Sequence, residues 1–95
     1  MKQIELRTKL YYVSSDGRVY DHKMNELPLR EHKKYLYFKG KLVHRLVAKL
    51  YSDEYFENCS VHHINEITHD NRICNLKVMI TSEHVLLHKV KHTHI

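Results

Sequence analysis

Val61–His88, VHHINEITHDNRICNLKVMITSEHVLLH, carries the most informative spacing in this chain. It sets a His pair, a polar connection and a second His pair at separations that can build one metal site. His84 follows His62 by 22 positions (84 − 62) and His88 follows His84 by 4 (88 − 84). Two His four apart on a helix lie on one face, a turn apart. A third imidazole from a neighbouring strand would complete three protein ligands and leave coordination positions open, the mark of a catalytic site. His63 follows the proposed ligand His62 directly, so it can sit beside the metal without binding it, where a general base is useful.

The same stretch predicts strand, loop, strand, helix. Ser60–Ile64 reads as a strand, residues 65–75 as a polar connection and Leu76–Ile80 as a second strand. Thr81 can cap a helix over 82–91, with Glu83 complementing the dipole. Working outward, Ser15-Asp16-Gly17 between Tyr11–Ser14 and Arg18–Tyr20 is a hairpin signal. Lys39-Gly40, between Tyr35–Phe38 and Lys41–Val43, is a second. Leu46, Val47 and Leu50 fall at helical spacing within a short helix over His44–Tyr51. Residues 21–33, polar and containing Pro28, read as a loop. The expected class is α+β: N-terminal β-hairpins and a short helix, followed by a strand–strand–helix finger.

With 95 residues the chain makes one domain, residues 1–52 forming a β-rich part and 53–92 the finger. So small a domain has a thin core, which a metal clamp would reinforce. The net charge of +5, from 16 Lys and Arg against 11 Asp and Glu with ten His uncounted, favours polyanionic partners. No apolar run approaches the roughly 20 residues that span a bilayer, and the first residues lack a signal-peptide core. The chain is therefore expected to be cytoplasmic and free of membrane, with Cys59 and Cys74 as reduced thiols.

Several segments together resemble the HNH endonucleases, whose active site is the ββα-metal, or His-Me, finger. They are His62-His63, Asn71-Arg72 leading to Asn75-Leu76, and Ser82-Glu83-His84 with His88. The upstream half is similar to small phage and intron-associated members, in Tyr11–Val19 (YYVSSDGRV) and Lys39–Ala48 (KGKLVHRLVA). The resemblance spans roughly residues 10–90. It implies an enzyme hydrolysing DNA phosphodiester bonds, by nicking or double-strand cleavage. His63 is then the general base, His62, His84 and His88 hold one divalent metal, and Asn75 orients the His63 ring by accepting the Nδ1 proton. Asn71 is the alternative for that orienting role.

The chemistry suits those residues. An unperturbed imidazole titrates near pH 6.5 and can take a proton from water at neutral pH. A divalent cation acts as Lewis acid and template at a phosphate. Imidazole ligands favour Zn²⁺, whereas Mg²⁺ or Mn²⁺ is expected to support turnover. Arg72 in the connection can clamp a phosphate with its fork of donors, beside Asn71. Lys39, Lys41 and Arg45, with Lys33 and Lys34, form a basic cluster suited to the DNA backbone.

Plainer readings stand beside these. His84 and His88 can be the polar edge of an amphipathic helix, His69 a solvated loop residue, and His92 and His94 a frayed tail. His44 reads as a structural histidine at a strand–helix junction, and Tyr35, Tyr37 and Phe38 as core aromatics. The alternative function is a non-catalytic DNA-binding module stapled by a structural metal; a ribonuclease or toxin using the same finger is a third. One finger cuts one strand per encounter, so a homodimer would supply the second copy for a double-strand break. Low sequence specificity is expected of the monomer.

Overall fold

The structure, a computed structural model, describes residues 1–79. The predicted helix over 82–91, with His84, His88, the Thr81 cap and the tail histidines, lies outside the described residues.

Among the described residues, three small sheets surround one α-helix. The first is an antiparallel meander of β1 (Lys2–Leu6), β2 (Lys9–Val13), β3 (Val19–Tyr20) and β4 (Glu26–Leu27). The second joins β5 (Arg30–His32), β6 (Tyr35–Phe38) and β7 (Lys41–Leu42), and β7 runs directly into α1 (Val43–Tyr51). The third is a ribbon of β8 (Ser60–His63) and β9 (Leu76–Met79), in which His63 pairs with Leu76 and His62 with Lys77.

Both predicted hairpins are present at their glycines, since Val13 pairs with Val19 across Asp16-Gly17 and Phe38 with Lys41 across Lys39-Gly40. The structure adds a hairpin, β1–β2, whose two turn residues Arg7 and Thr8 both have positive φ, 52° and 66°. The segment 21–33 is not a plain loop. It carries β4 and β5, short polar strands interrupted at Pro28, which has no N–H to donate to a ladder.

The core lies where α1 meets the strands. Val43, Leu46 and Val47 present one helix face, as the helical period requires, and pack with Val13, Val19, Phe38 and Leu76. Tyr11 and Phe38 meet edge to face, with ring centroids 5.0 Å apart. The far end of α1 is tied to the first sheet, because the Tyr51 hydroxyl donates to the Val13 carbonyl at 2.6 Å and accepts from the Lys2 N–H at 3.0 Å. Cys59 is buried and Cys74 exposed, both as free thiols. Among the described residues no helix is long and apolar enough to cross a membrane.

Candidate active site

The ribbon β8–β9 presents consecutive histidines to opposite sides, because side chains alternate along a strand. His62 is exposed, whereas His63 is partly buried and packs towards α1. The His63 ring makes one decisive polar contact: its Nε2 lies 2.7 Å from the carboxamide oxygen of Asn71. That oxygen can only accept, so Nε2 carries the proton and Nδ1 is left as the basic atom of the ring. Asn71 is itself buried, at 3% exposure, and is therefore shielded from competing water.

The orienting carboxamide is thus Asn71, and the ring nitrogen it holds is Nε2. The expectation that Asn75 would accept the Nδ1 proton is corrected on both points. Asn75 has a different task, because its side chain closes the connection between β8 and β9. Its Oδ1 accepts from the Asn65 backbone N–H at 3.0 Å, and its Nδ2 donates to the Asn65 Oδ1 at 2.9 Å and the Asp70 carbonyl at 2.8 Å. Asn65 in turn donates its Nδ2 to the Asp70 carboxylate at 2.9 Å. With every polar atom of this buried amide used, the loop is fixed as one unit and Asn71 with it.

Two contacts brace that loop from the N-terminal half. The Ile73 N–H donates to the Ser15 carbonyl at 2.8 Å, and the Thr68 hydroxyl donates to the Lys34 carbonyl at 2.5 Å. The first brings the β2–β3 turn against Asn71. Gly17 there has φ +91°, and a Cβ built on it would stand 2.7 Å from the Asn71 Cβ. Both the conformation and the close approach require glycine at this turn.

Behind His63 sits His44, in the first turn of α1 and only 7% exposed. Their ring centroids are 4.7 Å apart. Tyr35 completes a triangle, 5.6 Å from His44 and 6.2 Å from His63. Burial is the main reason the His44 imidazole is pushed down to about 4, with the neighbouring His63 adding to it. It is accordingly neutral at physiological pH.

Two comparisons with known proteins point to one family. A family model described as "HNH endonuclease" matches residues 41–86. A solved structure titled "DNA binding and cleavage by the HNH homing endonuclease I-HmuI" superposes with a TM-score of 0.68 at 26% identity, covering 96% of this chain. The chain is thus similar to the HNH endonucleases over residues 41–86 in sequence and over most of its length in fold. It spans 59% of that homing endonuclease chain, and no curated protein sequence matches it.

The remaining predicted residues divide. Of the three proposed metal ligands His62 alone is described, on the exposed face of β8; His84 and His88 lie outside the described residues. Among the described residues no three His, Cys, Asp or Glu side chains group to hold a metal ion. An exposed imidazole one position from the candidate base is a donor of the right chemistry for a divalent transition metal.

Arg72 is exposed, but its fork is directed at Asp70: Nε and Nη2 donate to the two carboxylate oxygens, each at 2.7 Å. This fork, more than any other contact, holds the Asp70 carboxyl well below the usual carboxylate range. A phosphate would have to share or displace that partner. Arg45 is not part of a solvated basic cluster. Its Nη1 donates to the Cys59 carbonyl at 2.7 Å and its Nη2 to the Tyr55 hydroxyl at 3.1 Å, with the guanidinium 5.5 Å from the Tyr55 ring. It pins the segment between α1 and β8, and a DNA phosphate would have to compete with these two partners.

Lys39 and Lys41 are exposed as expected. Lys39 borders a groove of about 950 Å³ shared by the first two sheets, where Arg7, Lys9, Arg30 and Tyr37 also line the wall against the carboxylate of Asp21. This groove was not evident from the sequence, because its cations come from four separate strands and turns.

Proposed function

We propose that this chain is a metal-dependent endonuclease that hydrolyses DNA phosphodiester bonds, with His63 as the general base. The observation carrying this reading is the buried Asn71–His63 contact, which selects the Nε2–H tautomer and leaves Nδ1 able to take a proton from water. A purely structural metal site has no need of an imidazole oriented in this way. The similarity to an HNH homing endonuclease whose title names DNA binding and cleavage supports the same conclusion.

His62, with His84 and His88, would hold one divalent ion, which when bound supplies Lewis acidity at the scissile phosphate. Zn²⁺ is expected to bind tightest to such imidazoles and Mg²⁺ or Mn²⁺ to sustain turnover. DNA is the polyanion that the basic groove fits, by sequence-independent contacts to phosphate. The hairpin tips favour this reading. Arg7, Lys33, Lys34 and Lys39 all have positive φ, a strained conformation for residues with side chains, and all place cations at the tips of two-residue turns.

Supercoiled plasmid incubated with the protein and Mg²⁺ or Mn²⁺ tests the proposal. Conversion to nicked circles is expected, blocked by EDTA and lost in His63→Ala. Equal conversion by wild type and His63→Ala overturns it. Tight DNA binding without cleavage under any of these ions would favour the non-catalytic module instead.

A further inference from the structure

We propose that His44 is a positioning residue for His63: its buried ring, with that of Tyr35, forms the wall that fixes the plane in which the His63 imidazole meets Asn71. The inference rests on the reading of His63 as the base. One hydrogen bond fixes one atom of the ring, but leaves the imidazole free to pivot about that atom. Orienting the plane needs a second constraint on a face. His44 supplies it at 4.7 Å between centroids, and Tyr35, which touches both imidazoles, limits how far the pair can tilt.

The location makes a histidine costly there. Position 44 lies in the first turn of α1 between Val43, fully buried, and the core residues Leu46 and Val47. Burying a polar ring among such neighbours carries a desolvation penalty that leucine would not. An aromatic ring is what the geometry uses: it meets the His63 ring at an interplanar angle of 55°, a tilted ring–ring contact that an aliphatic side chain of similar volume would not make. The neutral state of His44 also places no fixed charge beside the base. The segment carrying His44, Lys39–Ala48, is thereby joined to the site: β7 and α1 deliver the wall, as the β2–β3 turn braces Asn71.

Two variants of the full chain separate this role from packing alone. His44→Phe keeps a flat ring, and His44→Leu fills the volume without one. Plasmid nicking by His44→Leu is expected to lose kcat by about tenfold to a hundredfold, the scale of a misplaced catalytic group, with KM nearly unchanged; His44→Phe is expected to restore most of kcat. Long-range ¹⁵N–¹H NMR of the His63 ring gives a readout independent of cleavage. A single Nε2–H tautomer is expected in wild type and His44→Phe, and averaged nitrogen shifts in His44→Leu. Wild-type kcat and unchanged His63 shifts in a folded His44→Leu overturn the inference, as does a fall in kcat without any change in those shifts. If wild type cuts no DNA yet the shifts change as described, the positioning stands and the nuclease reading falls.

Discussion

Gly17 and Asn71, 54 positions apart in sequence (71 − 17), are in such close approach that a methyl on Gly17 would stand 2.7 Å from the Asn71 Cβ. The hairpin turn of the first sheet is therefore the seat on which the carboxamide of the candidate site rests. Gly17→Ala is expected to displace Asn71 and to strain a backbone at φ +91°, lowering stability by about 1–3 kcal/mol. Thermal melts measure the lowered stability, and a fall in plasmid nicking at temperatures where the variant is still folded measures the displacement.

The two asparagines of the connection are expected to fail in different ways. Asn71→Ala removes the acceptor for His63 Nε2, so nicking should fall on the order of 10²-fold while the fold survives. Asn75→Ala strips three hydrogen bonds from a buried loop and should cost about 1–3 kcal/mol in a denaturant titration. Reversal of the two phenotypes would restore Asn75 as the orienting residue.

That choice was out of reach from sequence, for a physical reason. Both amides lie in one polar connection, and spacing along the chain does not tell which of them folds back under His63. Other features were legible: Asp16-Gly17 and Lys39-Gly40 marked their hairpins, and Leu46, Val47 and Leu50 marked α1. The β1–β2 turn was hidden because Arg7 and Thr8 enter the left-handed region without glycine or asparagine. The internal partner of Arg45 is chiefly a backbone carbonyl, which no residue identity announces.

Surface cations and the internal guanidinium separate in a DNA-binding titration against salt. Lys39→Ala and Lys41→Ala should each weaken binding and lower the slope of log affinity against log salt by about 1 for each phosphate no longer neutralised. Arg45→Ala should leave that slope unchanged and instead cost roughly 1–3 kcal/mol of stability, through its bonds to Cys59 and Tyr55. An Arg45 variant with wild-type melting and a reduced slope would return that residue to the DNA interface.

The buried imidazole of His44 makes stability depend on pH. Its pKa is lowered in the fold to about 4, against about 6.5 in the unfolded chain, so between these values the unfolded state binds more protons. Stability is full above about 6.5 and is lost as pH falls towards 4, at up to about 1.4 kcal/mol per pH unit. The Asp70 carboxylate adds its own loss only below the ordinary carboxylate range, near pH 4 and lower. Denaturant midpoints measured from pH 7 to 4 should decline for wild type and stay flatter for His44→Phe.

The backbone bond from Ile73 to Ser15 carries a lesson for protein engineering. The recognisable family segment, residues 41–86, begins after that turn, so a chimaera grafting this segment alone would inherit the histidines without their buttress. A cassette cut from this chain should include the first sheet.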